Sequence, residues 1–243
     1  QQAEEKLGQA VKTEYDAHLE SLITKAMKTK KWSEQIVNQL QVLIDPNFTS
    51  RLQSMVMDSV SSSNKSSKPN PFDELGATFV SAGNDMDPTS PYGETLVKSG
   101  EVQQKIAEAK RSFIQTTTNV IINPLKIFLD GDMKTIEREL KTLEMKRLDL
   151  DAVKTKQKKA ANKELAATLM EPELRLAQSN FDRQAEVVKQ LLLGITSTHA
   201  HHLKCLQEFI ISQRNYFDLC LQYTTEFQDS LIKGFTSAAN CNN

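Results

Sequence analysis

The chain has 243 residues, 39% of them hydrophobic, with a formal net charge of -1 and only 8 glycines and 7 prolines. Sparse Gly and Pro beside abundant Lys, Glu, Gln, Ala and Leu is a helical composition, and the near-zero charge excludes a broadly basic nucleic-acid binder. No run approaches the roughly 20 apolar residues that span a bilayer and no apolar segment with a cleavage site opens the chain, so it reads as soluble and cytoplasmic.

Leu19, Leu22, Ala26, Ile36, Leu40 and Leu43 keep one seam, which predicts a first helix from about Glu4 to Ile44, stopped by Asp45-Pro46. Trp32 is expected to pack against a neighbouring helix. Ser59 to Pro71, SVSSSNKSSKPNP, loses all periodicity and reads as a polar loop. A short helix over Phe72 to Ala82 follows, with Leu75 and Phe79 on one face and Gly83 as the left-handed residue after it. Loop and short helix together fill positions 45–90.

Ser90-Pro91 supplies a cap followed by proline at the first helical position, and helical patterning then runs from 91 to about 168. Pro124 removes a backbone donor, Gly131 lies two turns on, and the apolar stripe changes phase, so a bend is expected within INPLKIFLDGD. The same helix carries KTIERELKTLEMKRLDLDAVKTKQKKAANK. Ile136, Leu140, Leu143 and Leu150 mark its packed face, and Lys154, Lys156, Lys158, Lys159 and Lys163 follow with no acidic residue after Asp151. A packed helix thus gives way to clustered cations, an arrangement suited to an anionic surface such as a membrane. A solvated helix end, where cations favour the dipole, is the plainer reading of the same residues.

A third helix is predicted from about 172 to 233. Its seam runs Phe181, Ala185, Val188, Leu192, Ile195, His199, His202, Leu206, Phe209, Gln213, Tyr216, Cys220, Tyr223 and Phe227, the alternation of a coiled coil. The second and third helices would each reach roughly 90 to 115 Å, against a radius of gyration of about 18 Å for a globule of this size. Three long helices on short turns lie antiparallel, and the first covers only half of the others. The expected fold is therefore all-α: an elongated, kinked, antiparallel three-helix coiled coil whose remaining apolar faces meet a second copy about a twofold axis.

The three cysteines, Cys205, Cys220 and Cys241, have no metal-site spacing, and a helix would hold the first two about 22 Å apart. His199-Ala200-His201-His202 is the one metal-like pattern; on the seam it reads instead as a polar layer fixing register, with protonation expected to loosen the dimer in mild acid. The sequons at Asn47 and Asn64 read as chance, and the missing initial Met indicates a fragment. No glycine-rich phosphate loop, HExxH, CxxC or nucleophile elbow is present, so no enzyme, catalytic residue, metal or cofactor is expected.

EEKLGQAVKTEYDAHLE, PYGETLVKSGE, KRLDLDAVKTKQKKA and FDRQAEVVKQLLLGITSTHAHHLKCLQEF resemble the BAR domain of endophilins, with THAHHL and KRLDLDA pointing to the endophilin-B branch. The resemblance covers nearly the whole chain and implies one BAR domain over 1–243. It further implies a homodimeric crescent that senses or generates curvature on anionic phospholipid membranes through basic tips and a concave face. The family's amphipathic helix ahead of this region and SH3 domain behind it have no counterpart here, so partners reached through them are not expected of these residues. The resemblance also implies a concave-face insert matching the polar loop, where Lys65 and Lys68 are the only cations; the tip lysines are the better membrane contacts. Lys146 is a further candidate, and Arg147 falls near the packed seam. Peripheral association with intracellular membranes of autophagy, mitochondria and vesicle traffic is what the branch implies. A coiled-coil scaffold that docks a small GTPase or another protein without touching lipid is the alternative.

Overall fold

The computed structural model describes residues 12–45, 70–160 and 170–241, with side chains described as far as 233 except at 160. Among these residues all regular structure is helical: α1 (Ala17–Ile44), α2 (Pro71–Asp85), α3 (Pro91–Thr117), α4 (Asn123–Phe128), α5 (Lys134–Ala160), α6 (Glu171–Leu193) and α7 (Ile195–Cys241). The protein is thus all-α. The chain divides into two compact units, Gln1–Gln39 with Pro124–Leu203, and Leu40–Asn123 with Lys204–Asn243.

In the first unit the apolar residues of α1, α5 and α6 form one core. Leu19 and Ala26 of α1, Ile136, Leu143 and Leu150 of α5, and Phe181, Val188 and Leu192 of α6 are all buried, most of them seven residues apart within a helix. Each fully buried side chain of this size contributes about 1.5–3 kcal/mol relative to exposure. The expected start of α1 near Glu4 is corrected, because Lys12 to Asp16 is a non-helical strap. The Thr13 amide is spent on the Asp151 carboxylate, 2.8 Å away, and Asp16 caps the helix instead, its Oδ1 accepting from the Leu19 amide at 2.9 Å. Trp32 is 58% exposed, with the Lys31 ammonium over its ring, so the expected packing against a neighbouring helix is absent among the described residues.

In the second unit α2 and α3 form an antiparallel hairpin. Asn70 caps α2 by accepting from the Phe72 amide, Ser90 caps α3 by accepting from the Gly93 amide, and a proline follows each cap. Gly83, expected to end the short helix, lies inside it and is buried; the left-handed residue is Asp87, φ 66°, in the turn that follows. Asp87 tolerates that conformation because its carboxylate accepts from both the amide and the hydroxyl of Thr89. Gly83 faces Gly93 and Gly76 faces Gly100: a Cβ on Gly83 would meet the Gly93 oxygen at 2.7 Å, and one on Gly100 the Gly76 oxygen at 2.6 Å. Two glycines seven residues apart on each helix therefore let the backbones touch. α7 packs on α3 through Phe113, whose ring stacks on Tyr216 at 5.3 Å and tilts against Phe209 at 6.2 Å.

Between α3 and α5 the helix does not break at Pro124. Thr118–Ile122 and Leu129–Met133 are π-helical, one on each side of α4. The wider turn accommodates the missing amide of Pro124, and it also explains the change of phase. Thr117, Ile122, Phe128 and Met133 are all buried, and the steps Thr117 to Ile122 and Phe128 to Met133 are five residues each, the π repeat. Within each unit the buried positions thus follow the π repeat, where a spacing of three and four looks broken.

The third long helix starts at Glu171, is interrupted at Gly194 where a single turn intervenes, and resumes at Ile195. Gly194 donates to the Leu191 carbonyl and its own carbonyl takes up the Thr198 amide, so the ladder is rejoined within a turn. The expected stop at Lys233-Gly234 is corrected to Cys241. A single glycine costs a helix only about 1 kcal/mol, and the Ser-Ala-Ala that follows continues it. Cys205 and Cys220 share α7 and form no disulfide among the described residues. The expected extension of the second helix to 168, and the connection that follows it, lie outside the described residues.

Candidate functional site

The lysine run occupies the last two turns of α5. Ile136, Leu143 and Leu150 turn one face of that helix into the core, which sends Lys156, Lys158 and Lys159 to solvent. Lys156 and Lys158 have no acidic partner among the described residues, so their charge is available to an external anion. Lys154 differs: half-buried, it donates from Nζ to the Thr13 hydroxyl at 2.9 Å. Lys146 pairs with Asp149 at 3.6 Å. Lys65, Lys68 and Lys163 lie outside the described residues.

Beneath the run sits a polar cluster that the α5 sequence RLDLD and the strap sequence TEYD build together. Asp151 is fully buried; it receives the Thr13 amide and hydroxyl on one oxygen and Arg147 on the other at 3.0 Å. Arg147, 6% exposed, also grips Glu144 of its own helix through Nε and Nη2, and Glu144 accepts from the Tyr15 hydroxyl at 2.9 Å. The Tyr15 ring stacks parallel on Phe181. Burial, and then the bond to Glu144, push the Tyr15 hydroxyl up to about 12; the hydrogen bond from Arg147 holds Glu144 below the usual carboxylate range. Every buried charge is thereby paired, the condition under which such a cluster is tolerated.

Beside Lys154, α6 contributes a shallow cleft lined by Arg175, Gln178, Ser179, Asp182 and Arg183. Arg175 is held by Glu171, whereas Arg183 has no acidic partner among the described residues. These two arginines escaped the sequence reading because they are isolated cations on a helix of mixed charge. Only the fold brings them beside Lys154.

Of the residues read as seam, Leu192 and Ile195 are buried in the first unit, and Phe209 and Tyr216 pack on Phe113 in the second. His199 is exposed, with Nε2 2.8 Å from the Thr29 hydroxyl. His202 is half-buried, edge-on to Phe128 at 5.1 Å, and its Nε2 has no partner among the described residues. Burial, with His199 and His201 adding repulsion, holds His202 below the ordinary histidine range. No group of three His, Cys, Asp or Glu among the described residues is placed to hold a metal. Leu206 belongs to a second stripe that sequence periodicity did not separate: Leu206, Ile210, Phe217 and Leu221 are 43, 57, 58 and 66% exposed at spacings of four, seven and four. α7 is therefore apolar on two faces, one spent on α3 and one open.

No described helix is long and apolar enough to cross a membrane. Comparison with known proteins matches residues 1–233 to the BAR domain family. The chain is 47% identical to endophilin-B1 of Bos taurus over 240 residues, which is 99% of this chain and 65% of that protein. It is 47% identical to endophilin-B1 of Homo sapiens over 228 residues, 94% of this chain and 62% of that protein. Endophilin-B2 of Gallus gallus is 41% identical over 257 residues, 94% of this chain and 63% of that protein. The chain thus spans less than two thirds of the length of these relatives. With its all-α architecture, heptad-spaced cores and this likeness, the chain belongs to the BAR domain family, and its similarity within that family is to the endophilin-B branch.

Proposed function

We propose that residues 1–243 act as one BAR domain: a homodimer that binds anionic phospholipid membranes and senses or generates their curvature. The observation that carries this reading is the exposed pair Lys156 and Lys158, without an acidic partner among the described residues, in a chain of this family. Lys159, Lys154 and Lys163 extend it, and Arg183 borders it through the cleft. At about 1 kcal/mol per cation near an anionic leaflet, one such patch gives only weak binding. Two patches on one body gain avidity, so membrane affinity depends on dimerisation.

The open stripe of α7 supports the dimer. Leu206, Ile210, Phe217 and Leu221 keep heptad spacing on a face no described residue covers, and Trp32 and Ile36 of α1 are likewise exposed, four residues apart. A second copy covers such faces in coiled coils. The dimer contacts are apolar and the membrane contacts ionic, so salt weakens only the second.

The test is sedimentation with phosphatidylcholine vesicles, with and without phosphatidylserine, at low and physiological salt. Binding to the anionic vesicles alone, lost in Lys156→Glu/Lys158→Glu/Lys159→Glu with dimer mass unchanged, is the expected result. Lys154 is left intact because its loss would also disturb Thr13. Equal sedimentation of variant and parent, or no dependence on anionic lipid, would overturn the reading; the second result would favour a protein-docking scaffold.

A further inference from the structure

We propose that Thr13 is a phosphorylation site whose modification weakens the hold of the lysine run on anionic membranes; this rests on the reading of that run as the membrane contact. Thr13 sits in the non-helical strap, and its sequence context is Thr13-Glu14-Tyr15-Asp16. Acidic residues one and three places after the acceptor suit a protein kinase that recognises acidic substrates, and both Glu14 and Asp16 are exposed. The strap lies outside the helical ladder, so lifting it to present Thr13 requires only local opening.

The chemistry at the hydroxyl makes the site consequential. Thr13 Oγ1 lies between two opposite charges, donating to the Asp151 carboxylate and accepting from the Lys154 ammonium. In the modification the kinase transfers the γ-phosphoryl group of ATP to Oγ1. The hydroxyl proton passes to the kinase's base, the bond to the β-phosphate breaks and ADP leaves. The product cannot donate from Oγ1, and it sets close to two negative charges against a fully buried carboxylate. Residue 13 is expelled from Asp151. Lys154, already bonded to this oxygen, follows the phosphate, and Lys156 and Lys158 lie within one turn of it along α5. A patch that offered only positive charge then carries an anion at its centre, and Lys154 is withdrawn from it. Tyr15, stacked on Phe181 and bonded to Glu144, keeps the rest of the strap in place, so the change is in charge and not in fold.

Removing about two charges from the patch weakens binding to anionic vesicles roughly tenfold or more. The experiment uses the full chain treated with a purified acidophilic kinase and ATP, with the modified residue mapped by mass spectrometry. Treated and untreated protein, Thr13→Glu and Thr13→Val are then titrated with phosphatidylcholine–phosphatidylserine vesicles, and the dimer mass of each is measured. The expected result is phosphate on Thr13 and loss of affinity in both the treated protein and Thr13→Glu. Thr13→Val, which breaks the same hydrogen bonds without adding charge, should stay within about threefold of the parent. Absence of phosphate at Thr13, or binding unchanged by it, overturns the proposal while leaving the membrane reading intact. Equal losses in Thr13→Val and Thr13→Glu overturn the charge mechanism in favour of a purely structural strap. Untreated protein that ignores anionic vesicles overturns both readings.

Discussion

Gly83 and Gly93 meet backbone to backbone: a Cβ on the first would lie 2.7 Å from the carbonyl oxygen of the second and equally close to Val97. Gly83→Ala should therefore destabilise the protein by about 1–3 kcal/mol despite alanine's better helix propensity, because neither helix backbone can yield cheaply. Gly131→Ala, with nothing within 4 Å of the new methyl group, should instead leave stability unchanged or raise it by up to about 1 kcal/mol. Urea unfolding of the pair separates close approach from simple flexibility. A Gly83→Ala protein as stable as the parent would mean that the hairpin packs differently.

The buried cluster gives a second test. Arg147→Leu strands the Asp151 and Glu144 carboxylates and should cost about 3–5 kcal/mol, since Asp151 is wholly inaccessible to water. Adding Asp151→Leu to that variant should recover part of the loss. An additive double variant, measured by the same unfolding experiment, would show that the two groups are not coupled.

Acid sensitivity follows from His202. Its neutral form is favoured in the folded chain, because burial, His199 and His201 all oppose the proton. The unfolded chain binds that proton more readily, so stability is greatest above the ordinary histidine value of 6.5 and falls as the pH drops below it. His202→Leu should flatten that decline in thermal midpoint, whereas His201→Leu, at an exposed position, should leave most of it. A slope unaltered by His202→Leu would place the acid response elsewhere.

The open stripe on α7 predicts a change of mass. Ile210→Glu puts a carboxylate in the middle of an apolar face and should convert a species near twice 27.3 kDa into one of 27.3 kDa, as read by light scattering or small-angle X-ray scattering. Helical content should remain, because the intrachain face of the same helix, Phe209 and Tyr216 on Phe113, is untouched. A variant still at twice the chain mass would remove this stripe from the interface.

The first unit's core was legible because Ile136, Leu143 and Leu150, and Phe181, Val188, Leu192 and Ile195, repeat at helical spacing against polar neighbours. What escaped was whatever depended on a partner far along the chain. The strap follows an apparently helical sequence, but its amide and ring are taken by Asp151 and Phe181, well over a hundred residues away. The facing glycines were invisible for a related reason: a residue without a side chain leaves no periodic apolar signal, only a place where another backbone can come. α7 was harder to read, since two apolar stripes on one helix blend into a single broad pattern, and only the fold separates Leu206, on the exposed stripe, from Phe209 and Tyr216 on the stripe packed against Phe113. The lysine run was legible as charge but not as geometry; Lys154 reads like its neighbours and is the one tied to Thr13.

The two π turns also constrain how this sequence can change length. Each holds one residue more than an α turn would need, so the loss of a single residue within either segment is absorbed by its reversion to ordinary α-helix, with the neighbouring turns kept in phase. A deletion within regular α5 has no such reserve and turns what lies beyond it by about 100°, which takes Leu150 out of the core and turns Lys156 and Lys158 with it. The stretch from Thr118 to Met133 therefore holds a spare residue at each π turn that the regular helices lack, while its buried Ile121, Ile122, Leu125, Phe128 and Met133 leave little room for substitution.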